Sequence, residues 1–258
     1  MGGRGSAFKR TSGKSISEDW FDGWNEEDYT KLPTKNTDFL KEKKDVWVMD
    51  STDVINRSTM NKQSDFIKEL TTEYKGSTEL LDSTNNLRIR SMKMKSNNTY
   101  AAFVFPGNHY GKMQICFNET KINKSEKELY KNTKEQIDNG FWSKSDSENI
   151  INHTIAHEYG HFVERTLIEN FIQQNPAEYK QYKDFDSYYE EKSREIRKDI
   201  YNIKRTKLAD PDRKRVSGYA EDSDPENFAE IFANLVTTKS ASNWAKAMKI
   251  YLEEKNIC

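Results

Sequence analysis

His157 and His161 stand four residues apart, in a stretch where Ile151, Ile155, Tyr159, Phe162 and Leu167 recur near the helical period. On a helix, residues i and i+4 share a face, with Cβ atoms about 5–6 Å apart. Two imidazoles so placed can converge on one metal ion, with Zn–N distances of about 2.0–2.1 Å. Glu158 is one residue further round the helix. That offset sets its carboxylate beside the metal rather than on it, where it can take a proton from an attacking water. This is the H-E-x-x-H arrangement. Three of the four histidines of the chain, His153, His157 and His161, gather here. Gly160, inside the motif, costs about 1 kcal/mol in a helix interior; a close approach of backbone or substrate would explain it.

A catalytic zinc takes three protein ligands and keeps one position open. The metzincin spacing puts a glycine and a third histidine where this chain has Glu164 and Leu167, so that class fails. Glu164 shares a face with His161 but lies seven residues, about 10 Å of rise, from His157. It is therefore expected to make a surface or outer contact, and His153 is excluded as a ligand in the same way. The better source is Glu226-Asn227-Phe228-Ala229-Glu230. Asp224 as N-cap and Pro225 as first residue predict a last helix there, with Glu226 and Glu230 on one face. Two such carboxylates can divide the labour, one binding zinc and the other accepting the outer N–H of a ligating histidine. The small Ala229 would let the two helices come close.

His157-Glu158-Tyr159-Gly160-His161, then Ser217-Gly218-Tyr219, then Glu226-Asn227-Phe228-Ala229-Glu230-Ile231-Phe232-Ala233 together resemble the catalytic domain of anthrax lethal factor and its zincin relatives. That family carries H-E-F-G-H and a tyrosine seven residues before the glutamate of E-F-F-A-E-A-F, and Tyr219 precedes Glu226 by the same seven. The resemblance covers about residues 145–240. It implies one zinc ion held by His157, His161 and Glu226, Glu158 as general base, and Tyr219 as hydroxyl donor to the developing oxyanion. It also implies Glu230 as the outer partner of a ligand histidine. The activity implied is that of a zinc endopeptidase acting on a protein or peptide. Residues 162–225 form a longer insertion than the family leads one to expect. By the same analogy, the 112–118 strand would bind an extended substrate peptide through its backbone.

The elements that must position these residues are legible in outline. The active-site helix is expected over 145–173, with Ser145 and Glu148 as a capping box. Ala101–Phe105 and Lys112–Asn118 read as a β-hairpin around a Pro-Gly-Asn-His-Tyr-Gly turn that holds His109. Phe66, Ile67, Leu70 and Tyr74 predict a helix over 62–75, and residues 176–206 predict a charged helix broken at Ala209-Asp210-Pro211-Asp212. The fold class expected is α+β: a zincin-like core with a small mixed sheet, an active-site helix, and a C-terminal helix carrying the third ligand. Residues 1–17 are expected to be disordered. Residues 18–95 should form an aromatic and charged helical region, and 96–258 the catalytic domain.

The 258 residues include 41 Lys+Arg against 42 Asp+Glu, a balance that predicts no global attraction to nucleic acid or to an anionic membrane, and neither is expected as a partner. No window is long and apolar enough to span a bilayer, and the first residues lack a signal-peptide core. The chain is expected in the cytoplasm, or exported without a cleaved signal. Cys116 and Cys258 make no disulfide framework, and Cys116 reads as a buried small residue. The opening Gly-Gly-Arg-Gly-Ser resembles small proteins of phages and mobile elements. Three other readings stay open: an inactive zinc-binding interaction module, a toxin or effector peptidase with one narrow protein target, and a nucleic-acid-associated mobile-element protein using the basic residues of 192–215, which the near-neutral total charge disfavours. The first leaves Glu158 and Tyr219 without a chemical purpose. No feature speaks to oligomeric state.

Overall fold

The computed structural model describes residues 36–44, 46–49, 57–81, 86–92, 94, 99–104 and 113–258. These fall into two compact units, one ending at Glu126 and one starting at Lys127. The architecture is α+β. The segment 1–17, the aromatics Trp20, Phe21, Trp24 and Tyr29, and the hairpin turn with His109 lie outside the described residues.

The first unit holds helices α1 (Thr37–Lys44) and α2 (Arg57–Glu73) and strands β1 (Val46–Met49), β2 (Leu87–Met92), β3 (Ala101–Val104) and β4 (Met113–Asn118). Phe66, Ile67 and Leu70 are the buried face of α2, as their spacing predicts. The sheet order is β1-β2-β4-β3, mixed, with β1 and β2 from before residue 95 and β3 and β4 from after it. β1 runs parallel to β2, and β2 parallel to β4. β3 and β4 pair antiparallel from Ala101 opposite Phe117 to Val104 opposite Gln114, as expected for the two arms of a hairpin. Cys116 is buried in a cluster with Met94, Ala102 and Val104.

One expectation fails in this sheet. β4, the strand expected to take up a substrate peptide, is an interior strand. Its backbone is already bonded to β2 on one side and β3 on the other, so no open row of N–H and C=O groups is left for an added strand. Among the described residues the edges are β1 and β3. The unit closes with the short α3 (Glu119–Ile122).

The second unit is helical: most of α4 (Glu126–Asp138), then α5 (His153–Gln174), the short α6 (Pro176–Tyr179), α7 (Phe185–Lys207), α8 (Asp224–Thr237) and α9 (Asn243–Glu254). α5 is central. Every residue from Ile155 to Glu169 is buried, so the helix is covered on all sides rather than along one stripe. It packs mainly on α8, while α7 packs on α9. No described helix is long and apolar enough to cross a membrane.

Three local expectations are corrected. α5 begins at His153, not 145. Ser145 makes no capping box; its Oγ lies 3.3 Å from the carbonyl of Thr237, and Asp146 donates its N–H to the same oxygen at 2.8 Å. Glu148 instead pairs with Lys239. The cap of α8 is Ser223, whose Oγ accepts the Glu226 N–H at 3.2 Å. Asp224 is free to pair with Arg197 at 2.6 Å. Finally, α8 is not the last helix, since α9 follows it.

Candidate metal centre

α5 carries the two histidines one turn apart. Their ring centroids are 4.9 Å from each other and the planes stand at 81°. α8 crosses close by, because Gly160 has no side chain: a Cβ there would lie 2.9 Å from Ala229 Cα and 3.1 Å from Phe232 Cβ. That approach brings Glu226 to the imidazoles. One donor atom each from His157, His161 and Glu226 lies within 4.8 Å of the others. Glu226 Oε2 is 3.0 Å from His157 Nε2 and 3.5 Å from His161 Nε2. Ligands about 2.0–2.2 Å from a tetrahedral ion stand roughly 3.3–3.5 Å apart, so small adjustments suffice. All three side chains are buried. A buried carboxylate between two imidazoles is a donor set that could hold a metal ion.

Glu230, one turn after Glu226, faces the other nitrogen of the same ring. His157 Nδ1 donates to Glu230 Oε1 at 2.8 Å, which leaves Nε2 turned toward Glu226. Sequence spacing left open which glutamate takes which role; the structure sets Glu226 at Nε2 and Glu230 at Nδ1. The second oxygen of Glu230 accepts the Ser143 N–H at 2.6 Å and the Ser217 hydroxyl at 2.8 Å.

The electrostatics follow from this layout. Burial opposes charge on His157, but hydrogen bonds to Glu226 and Glu230 outweigh it and hold its pKa up at about 10. Burial likewise works against charge on Glu226, yet His161 and His157 hold its carboxyl well below the usual range. Glu230 is lowered too, with its contact to His157 overcoming burial.

No family model, curated protein or solved structure matches this chain. The case for the site therefore rests on its own geometry.

Tyr219 lies at its rim. Its ring stacks on His157, with centroids 5.5 Å apart and planes at 24°, and also meets Phe141 at 5.2 Å. The backbone fixes that position: Gly218 N–H donates to Gly140 O, and Tyr219 N–H to Phe141 O, both at 2.9 Å. Glu158, next to the first histidine, is fully buried.

His153 sits apart from the metal donors. It stacks on Trp142 at 5.2 Å and lies 3.1 Å from Ser143 Oγ. Burial pushes its pKa down to about 4, so the ring is neutral near pH 7. Glu164 is no surface residue: it is fully buried and accepts a hydrogen bond from Tyr189 Oη at 2.7 Å. Burial pushes its carboxyl up to about 7.

Residue patterns missed three participants. Ser217 stands two residues before Tyr219, in the Ser-Gly-Tyr that accompanies the motif, but nothing in its type assigned a role. Phe141 and Ser143 gave no signal, because their parts are played by the backbone: Phe141 O accepts the Tyr219 N–H and Ser143 N–H donates to Glu230.

Proposed function

We propose that the protein is a zinc-dependent endopeptidase that hydrolyses peptide bonds of a protein substrate, with His157, His161 and Glu226 as zinc ligands. The observation that carries this reading is the meeting of Glu226 with two histidines 65 and 69 residues earlier in the chain, with the Tyr219 ring stacked on His157. Two nitrogens and one carboxylate oxygen suit zinc in a catalytic site, where the fourth position stays open. Zinc, when bound, supplies positive charge next to the scissile carbonyl and the attacking water.

The remaining steps belong to the chain. Glu226 and the two histidines hold the ion. Glu230 accepts the Nδ1 proton of His157, which fixes the tautomer and turns Nε2 inward. Glu158 takes a proton from the attacking water and returns it to the departing amine. The Tyr219 hydroxyl donates to the oxyanion that develops on the carbonyl; removing one such donor costs about 3–4 kcal/mol in other enzymes. The resemblance of the short motifs around His157, Tyr219 and Glu226 to those of the lethal factor family suggests the same roles. Glu158 and Tyr219 favour an active peptidase over a purely zinc-binding interaction module, which would need neither.

Elemental analysis tests the reading. Wild type should carry one equivalent of zinc and Glu226→Ala much less. Glu158→Gln should keep the zinc and lose at least about a hundred-fold in peptide hydrolysis. A well-folded wild type that takes up no zinc from solution ends the metallopeptidase reading. A Glu158→Gln variant as active as wild type removes Glu158 as the base.

A further inference from the structure

Ser217 is neither a ligand nor an acid or base, yet its hydroxyl joins the two sides of the site. On one side it donates to Glu230 Oε2 at 2.8 Å, the carboxylate whose other oxygen holds His157. On the other side it accepts the Ala220 N–H at 3.1 Å. That bond closes the turn that presents Tyr219, a single 3-10 turn over Tyr219–Glu221. Within the turn, Glu221 donates its N–H to Gly218 O at 3.2 Å and Asp222 its N–H to Tyr219 O at 3.1 Å. The turn's other restraints come from the neighbouring segment, through Gly140 O and Phe141 O, and from Arg215, which reaches the carbonyls of Ala220 and Ser223.

We propose that Ser217 is a positioning residue that couples the orientation of ligand His157 to the placement of Tyr219, through Glu230 on one side and the Ala220 N–H on the other. The inference rests on the metallopeptidase reading of the site. A carboxylate with two donors on Oε2 and one on Oε1 has its plane fixed, and so has the imidazole it holds. Without the Ser217 hydroxyl, Oε2 keeps only the Ser143 N–H, and the carboxylate plane is held by two donors, Ser143 N–H and His157 Nδ1, instead of three. The same loss frees the Ala220 N–H and loosens the Tyr219 turn. Partners of ligand histidines typically contribute ten- to a hundred-fold to metal affinity or activity. One donor further out, the lower figure is the expectation.

The test compares Ser217→Ala, Ser217→Cys and Ser217→Thr with wild type. Ser217→Ala should bind zinc about ten-fold more weakly in competition with a chelator. Its kcat should fall by more than its KM changes, because Tyr219 acts on the developing oxyanion. The visible spectrum of the cobalt-substituted protein should also shift as the ligand geometry relaxes. Ser217→Cys keeps the volume but offers only a weak S–H donor, so it should lose affinity as Ala does, without a cavity to blame. Ser217→Thr restores the hydroxyl and should recover most of both quantities. If folded Ser217→Ala and Ser217→Cys match wild type in zinc affinity, spectrum and kcat, or if Ser217→Thr is no better than they are, the inference is wrong while the zinc reading stands. A wild type that binds no zinc overturns both.

Discussion

His157 is held by two carboxylates at once, Glu226 on Nε2 at 3.0 Å and Glu230 on Nδ1 at 2.8 Å. Protonated on both nitrogens, the ring donates to both, which is why its pKa stands near 10 despite burial. A metal at Nε2 must displace that proton, so metal and proton compete for one atom. The sign follows directly. Below pH 10 the proton is present, and raising the pH helps the metal. Between pH 7 and 9 the apparent affinity for zinc should tighten about ten-fold per pH unit, with about one proton released per ion bound from this ring. Calorimetry in buffers of different ionisation enthalpy measures that proton. An affinity flat over this range would mean that His157 is already neutral and that the two carboxylates do not act on it together.

At the scale of elements, the site depends on how closely α8 lies against α5. Gly160 is the contact point, and a Cβ there meets backbone at Ala229 Cα, 2.9 Å away, as well as the Phe232 side chain. Backbone cannot swing aside as a long side chain can. Gly160→Ala should therefore gain up to about 1 kcal/mol of helix propensity and lose about 1–3 kcal/mol to overpacking. It should also push Glu226 and Glu230 off the imidazoles. Denaturant unfolding should show a less stable variant and chelator competition a weaker zinc site. A variant more stable than wild type, with full affinity, would show that the helices have room to spare. The closeness itself was legible, since Gly160 and Ala229 stand out in otherwise bulky helices. The pairs His157–His161 and Glu226–Glu230 were legible too, because i,i+4 spacing is a local rule. The cap of α5 was not. Ser145 and Glu148 fit a capping box by type and spacing, but the carbonyl of Thr237, 92 residues away, takes the Ser145 hydroxyl instead. The role of β4 misled for the same reason. Its composition says strand, while interior or edge is decided by β2, which pairs with it from before residue 95.

Over the whole molecule, 41 basic and 42 acidic side chains nearly cancel, so net charge has little say in how stability responds to pH near neutrality. Exposed pairs such as Lys239–Glu148 and Lys207–Glu254 contribute little, because both charges stay solvated and screened. The response falls to buried groups, and Glu164 is the clearest. It lies on α5 inside the second unit, bonded by Tyr189, and burial lifts its carboxyl from 4.5 to about 7. The folded chain thus keeps a proton that the unfolded chain loses near pH 4.5. Between those values the folded state binds more protons, so stability falls as pH rises through the window. Below it there is no penalty; above about pH 7 the penalty is complete, at roughly 3 kcal/mol. Glu164→Gln keeps an acceptor for Tyr189 and a donor like that of the neutral acid, but cannot ionise. It should match wild type near pH 4 and exceed it at pH 8, by an amount approaching that penalty, when urea unfolding is followed at both. Because zinc would add its own stabilisation to each protein, both are measured with chelator present. A difference between the two proteins that stays constant from pH 4 to 8 would mean that Glu164 is ionised in the folded chain throughout, with its charge met by groups around it rather than suppressed by burial.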